Sequence, residues 1–248
     1  WTPAEFISNT LRKYTDKPVT TVPYCVTAPT DDKYDRKYFN LPEDKFLFLM
    51  MFASGSIMER KNPLGTIEAF KKAFDKENKD VGIVIKINEL EQSEKDIEYI
   101  HSVFDGYDNI YIITGTYSKV EVNSLTKCVD VFVSLHRAEG FGLVLAEAML
   151  VGTPTIATNW SANTEFMNSD VACMVDYKMI ELKEKQIKRA VFARKTAHSL
   201  PKAPAFRQHS RPAERNAGRL CFYSIGMEMS PMVTEAMSSS GITVSNVP

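Results

Sequence analysis

In the stretch SLHRAEGFGLVLAEAML, residues 134–150, two glutamates, Glu139 and Glu147, bracket Gly140, Phe141 and Gly142 and a run with hardly a polar atom in it. A carboxylate within so apolar a helix is seldom fully buried without a partner. A ligand's hydroxyl pair, as on a ribose, would satisfy Glu147; a place at the exposed edge of the helix is the plainer alternative. Gly140 and Gly142 allow backbone conformations and close approach that other residues refuse. A helix starting near Gly142 would aim its first N–H groups at whatever lies before them, and a diphosphate is the natural occupant.

A second set of parts stands in ASGSIMERKNPLG, residues 53–65. Ser54, Gly55 and Ser56 let the backbone turn closely, Arg60 and Lys61 bring positive charge, and Pro63 opens a helix. Free N–H groups, a helix dipole and two cations together make an anion site. A solvated basic turn before a proline helix start is the competing reading.

Both sets follow buried strands, and the rest of the text supplies the scaffold. KFLFLMMFAS, residues 45–54, is a continuous apolar run suited to the centre of a parallel sheet. NPLGTIEAFKKAF then repeats Leu64, Ile67, Phe70 and Phe74 at helical spacing. The alternation continues with VGIVIKI as strand, EQSEKDIEYIHSVF as helix, NIYIIT as strand, SKVEVNSLTKC as helix and VDVFVSL as strand; GFGLVLAEAMLVG is a helix and TPTIAT a strand. This rhythm predicts an α/β fold, a doubly wound, mostly parallel Rossmann-like sheet with helices on both faces, whose ligands bind at the carboxyl ends of the strands. HRAEGFG, directly after VDVFVSL, occupies such an end.

Outside this core the chain opens with a helix from about Pro3 to Lys13 and a short strand, VTTVPYCV, at residues 19–26. Residues 27–44, rich in Pro, Asp and Lys without a period, read as a linker. Residues 45–180 form the main domain. From 181 to 248 a basic, helical-looking piece, ELKEKQIKRAVFARK, gives way to text without a sustained period, and a divergent, poorly ordered tail is expected, more a solvated segment than a surface for lipid or nucleic acid.

The 248 residues suffice for one substantial α/β domain with additions, and a formal net charge of −1 argues against nucleic acid as a partner. Cys25, Cys128, Cys173 and Cys221 show no metal-binding spacing, and reduced thiols suit a cytoplasmic setting. No run nears the roughly 18 apolar residues of a membrane helix, and WTPAEFISNT is not a signal peptide. Starting at Trp1 rather than Met, the chain is expected to be a fragment.

The Glu-x7-Glu spacing around Gly-Phe-Gly, with VGTPTIAT after it and RKNPLGTIEAF before it, resembles the C-terminal, donor-binding domain of GT-B retaining glycosyltransferases of family 4, also called glycosyl transferases group 1. The likeness spans about Lys45 to Tyr177. Residues 1–26 are similar to the end of the N-terminal, acceptor-binding domain, and 27–44 to the interdomain linker. The resemblance implies transfer of a hexose, with retention, from a UDP- or GDP-sugar to a saccharide or lipid-linked acceptor, as in polysaccharide synthesis at the inner face of a membrane.

By the same resemblance Glu139 contacts the donor sugar's hydroxyls, and the backbone of Gly140, Phe141, Gly142 and Leu143 holds sugar and diphosphate. Glu147 takes the ribose hydroxyls and Lys61 the diphosphate. The family's companion arginine normally stands about five positions before that lysine, where this chain has Ser56, so Arg60 is the substitute candidate beside Gly55 and Ser56. Thr116 and Tyr117, in ITGTYS, occupy a place similar to the family's base site. His136 is either part of the site or held by neighbouring backbone. Asn159, Ser161 and Asn163 either line the sugar pocket or cap a helix at Thr164. Asp31 and Asp32 do not form a D-x-D signature, so no metal and no cofactor beyond the donor is expected. The alternative function is a non-catalytic nucleotide-sugar-binding half-domain, a fragment or partner subunit that lacks the acceptor side.

Overall fold

The run Phe46–Ala53 is apolar almost throughout because both faces of its strand, β1, are covered. In this computed structural model Phe48, Met50 and Phe52 pack on one side with Ile67 and Phe70 of a helix, α3 (Pro63–Ala73), which follows a single turn, α2 (Met58–Lys61). Leu47 and Leu49 turn to the other side, against Leu125 of α4 (Lys119–Cys128) and Leu145 and Ala148 of α5 (Leu143–Leu150). Strand alternation thus divides one apolar run between two cores. Each fully buried Leu or Ile contributes about 1.5–3 kcal/mol. The structure describes residues 1–53, 58–88, 98–99, 102–103 and 106–179. The expected helix over EQSEKDIEYIHSVF and the tail 181–248 therefore lie largely or wholly outside the described residues.

The remaining strands are β2 (Val81–Asn88), β3 (Ile110–Thr114), β4 (Val131–Ser134), β5 (Thr155–Thr158) and β6 (Cys173–Val175). All pair in parallel, in the order β3-β2-β1-β4-β5-β6. The expected parallel, doubly wound sheet is the observed one. Strand order reverses between β1 and β4, and the crevice beyond the carboxyl ends at such a reversal is where open α/β sheets hold ligands. The turn α2 and the loop after Ser134 lie on the two sides of that reversal.

One local expectation needs correction, and one short strand was not foreseen. Residues 19–26 form no strand: among the described residues they make one isolated bridge, Thr2 with Thr21, and Pro23 has no N–H to offer a ladder. The helix offered at Thr164 is a short 3-10 turn, Ala162–Glu165, and strand β6 went unread, since three residues are too short to show a period. The opening helix, α1 (Glu5–Arg12), is present, and the Glu165 carboxylate accepts the N–H groups of Glu5 (3.0 Å) and Phe6 (2.6 Å) at its start.

Residues 27–44 have neither helix nor strand, yet they are fastened down. Arg36 donates to the carbonyls of Cys128 (2.7 Å) and Lys45 (2.7 Å) and to Asp130 (2.7 Å), while Phe39 and Leu41 enter the core on the α4 side. The same Asp130 carboxylate accepts the Leu47 N–H at 2.7 Å, locking this segment to the start of β1.

Candidate functional site

The end of α2, the start of α3 and the chain leaving β4 are stitched together. Asn62 adopts a left-handed conformation (φ 52, ψ 48), which Asn tolerates, and its side-chain amide donates to the Leu135 carbonyl at 2.8 Å. The Arg137 N–H donates to the Arg60 carbonyl at 2.8 Å, and the Arg60 guanidinium to the Ala138 carbonyl at 3.0 Å. Between these bonds sits Glu139, whose side chain is only 9% exposed. Its Oε1 pairs with Lys61 Nζ, and its Oε2 lies 3.2 Å from Arg60 Nη1. Two cations thus face one carboxylate across the reversal of strand order. The expected site residues Gly55 and Ser56 lie outside the described residues.

Helix α5 starts at the same place. Gly142 is its N-cap at φ 93, where a side chain would be strained, and it supplies no capping side chain to the first turn. A Cβ there would also meet Asn163, Leu145 and Phe166 at 3.4 to 3.6 Å. At Gly140 a Cβ would meet nothing within 4 Å, so packing does not demand glycine there. Phe141 is buried, its ring 5.3 Å from Phe166 and 5.2 Å from Tyr24, which anchors the loop.

Leu143 is 41% exposed, and Glu147, one turn later, shares its face of α5. The Glu147 carboxylate lies 3.0 Å from Lys119 Nζ. Lys119 opens α4 after Thr116, Tyr117 and the N-cap Ser118, so this pair ties the start of α4, beyond the loop after β3, to α5. Thr116 is exposed, and the Tyr117 ring lies over Lys86 Nζ, 4.9 Å from its centroid.

His136 is 1% exposed, and both ring nitrogens have protein partners. Nε2 lies 3.1 Å from the Trp160 carbonyl and 3.0 Å from Asn163 Oδ1. Both are acceptors, because the Asn163 amide nitrogen donates to the Thr158 carbonyl, so Nε2 carries the hydrogen. Nδ1 faces the Ser134 hydroxyl at 3.0 Å and carbonyl at 3.1 Å. The ring ties the loop after β4 to the loop after β5 and does not face the crevice as a free base. Asn163 is fully buried in this link. Ser161 makes no side-chain cap to the 3-10 turn; its hydroxyl turns to Glu139.

The family model described as "Glycosyl transferases group 1" matches residues 31–203. This chain belongs to that family. The group 1 chain is similar in fold to the pneumococcal O-GlcNAc transferase GtfA in complex with UDP and GlcNAc (TM-score 0.53, 20% identity, 77% of this chain and 35% of that one). It is likewise similar to Anabaena HepE in complex with UDP and glucose (TM-score 0.55, 13% identity, 80% and 53%). A third such structure is sucrose-phosphate synthase from Thermosynechococcus elongatus (TM-score 0.54, 19% identity, 77% and 48%). The group 1 chain spans between about a third and about half the length of these structures. No curated protein matches it in sequence.

Two cations of this group 1 chain escaped the sequence reading, although each leaves a trace. Lys119 stands at the first position of a helix, where the dipole disfavours positive charge, so a nearby carboxylate is its natural explanation. Lys86 interrupts the apolar run VGIVIKI and is fully buried. Its amine donates to the Gly115 carbonyl (2.7 Å), Asn88 Oδ1 (2.6 Å) and the Ile87 carbonyl (3.2 Å), and burial lowers its pKa to about 8. Among the described residues no group of His, Cys, Asp and Glu is arranged to hold a metal, and no helix is long and apolar enough to cross a membrane.

Proposed function

We propose that this chain is the donor-binding half of a GT-B retaining glycosyltransferase of family 4 type, holding a UDP- or GDP-hexose without a metal. The observation that carries the reading is the meeting of Lys61 and Arg60 with Glu139 at the strand-order reversal, beside the start of α5. The trio bears one net positive charge. A diphosphate entering the crevice draws Lys61 and Arg60 toward itself, with further attraction from the α5 N-terminus. That exchange frees the Glu139 carboxylate to accept the sugar's hydroxyls. Open space above Gly140 suits close approach of the sugar.

Glu147 then exchanges Lys119 for the ribose hydroxyls, while the backbone of Thr116 and Tyr117 meets the base. During transfer the acceptor attacks the face of the anomeric carbon from which the nucleoside diphosphate leaves. Lys61, Arg60 and the first N–H groups of α5 stabilise the charge gathering on the departing phosphate. The carboxylates hold sugar and ribose in the orientation for reaction. His136 supports this site from beneath.

In this reading residues 1–26 belong to the end of an acceptor domain, 27–44 to the connection and 45–180 to the donor domain. A saccharide or lipid-linked acceptor, met in the cytoplasm at the inner face of a membrane, completes the proposal. Calorimetric titration with UDP, GDP and their sugars tests it. Micromolar to millimolar binding of one nucleotide series, weakened by Glu147→Ala, is expected, and no binding of any nucleotide would sink the reading.

The partial span of the matched structures supports a second reading, a nucleotide-sugar-binding half that transfers nothing by itself. Incubation with the preferred donor and an acceptor panel separates the two, because only the first predicts a glycosylated product.

A further inference from the structure

Ser161 follows β5 at φ 89 and ψ −167 and is 1% exposed. Glycine enters that region of backbone space freely, whereas a residue with a Cβ is strained there. Such strain persists only where the surroundings hold it. Thr164 holds the Ser161 carbonyl, and Glu139 holds the Ser161 side chain. The Ser161 hydroxyl accepts the Glu139 N–H at 2.8 Å and donates to the Glu139 carbonyl at 3.0 Å. One hydroxyl therefore directs its acceptor and its donor roles at a single residue 22 positions earlier.

We propose that Ser161 is a positioning residue that sets Glu139 for the donor's sugar, an inference that rests on the donor-binding reading above. With the peptide groups on both sides of its Cα clasped, Glu139 keeps freedom only in its side-chain torsions. Lys61 and Arg60 steady the carboxylate while they pair with it, but a bound diphosphate draws both away. The Ser161 clasp does not depend on those cations and stays in place when they leave. His136 braces the same two loops through Trp160 and Asn163, so the clasp joins elements that are already fixed. A carboxylate held in this way meets the sugar hydroxyls without first being ordered.

Two substitutions separate hydroxyl from strain. Ser161→Ala removes the hydroxyl and keeps the strained backbone, whereas Ser161→Gly removes both. The whole chain is titrated calorimetrically with UDP, GDP, UDP-glucose, UDP-N-acetylglucosamine and GDP-mannose, and each variant is melted. Both variants should lose at least about tenfold in affinity for the preferred sugar nucleotide while binding the bare nucleotide within about twofold of wild type. Ser161→Gly should melt above Ser161→Ala. Unchanged sugar-nucleotide affinity, or an equal loss for nucleotide and sugar nucleotide, overturns the role of Ser161. If Ser161→Ala does not fold, Ser161→Gly decides by the same affinities. A wild-type chain that binds no nucleotide is a different result: it overturns the donor-binding reading, and this proposal with it.

Discussion

Lys61 and Glu139 form an ion pair across the point where strand order reverses. Lys61 closes the turn after β1, and Glu139 lies in the loop after β4, 78 positions later. They meet because β4 pairs with β1, while β2 and β3 extend the sheet in the opposite direction. Arg60 approaches the second carboxylate oxygen, so the nearly buried Glu139 has a cation for each.

That arrangement predicts non-additive stability. Lys61→Met leaves a buried carboxylate with Arg60 alone and should cost about 1–3 kcal/mol. Adding Glu139→Gln removes the charge left uncompensated, so the double variant should recover at least about half of that loss. Urea unfolding midpoints measure it; a double variant that shows the plain sum of the two single effects would contradict the coupling.

The two glycines of the loop should behave differently. Gly142→Ala forces a side chain into φ 93 beside Asn163 and Leu145 and should destabilise by about 1–2 kcal/mol. Gly140→Ala meets no protein atom and should change stability by less than about 0.5 kcal/mol while weakening sugar-nucleotide binding. Melting curves paired with titrations test both halves.

Glu147→Ala should weaken nucleotide and sugar nucleotide alike, by about 10–100-fold, since hydrogen bonds from ribose hydroxyls to a charged carboxylate would be lost. Lys119, about half exposed, gives that carboxylate a water-screened partner, so Lys119→Ala should alter stability by less than about 1 kcal/mol. Selective loss of the sugar nucleotide in Glu147→Ala would assign Glu147 to the sugar instead.

Lys86 gives the fold a pH dependence. Burial lowers its amine from 10.5 to about 8, so between these values the unfolded chain holds a proton that the folded chain has released. Stability should therefore rise with pH across that window, and the cost of the buried charge is present in full below it, at most about 3 kcal/mol. Lys86→Met should flatten the rise. Denaturation midpoints from pH 7.5 to 10.5 provide the comparison, and an identical slope in the variant would refute this origin.

The strands of the sheet were legible wherever one apolar run had to satisfy two cores, as in Phe46–Ala53. The start of α5 was legible too, because Gly142 stands where an apolar helical run begins. Short pieces were not: Cys173–Val175 is a strand by virtue of its pairing with β5. Residues 19–26 have strand-like composition, but among the described residues only Thr2 forms a bridge with them. A solitary lysine in VGIVIKI carried a signal, yet its acceptors on Gly115 and Asn88 could not be inferred from spacing.

The sequence by itself determined the alternation of strands and helices, the placing of Arg60, Lys61, Glu139 and Glu147 after strands or within the helix that follows, and the glycine at the start of α5. These follow from local periodicity and backbone sterics, which neighbouring residues settle among themselves. Only the tertiary structure decided that β1 lies beside β4, that Lys61 and Arg60 meet Glu139, and that Ser161 clasps Glu139 from a third loop. Strand order in a parallel sheet is chosen by the burial of whole faces against helices far away in the chain, so no short stretch of sequence contains it.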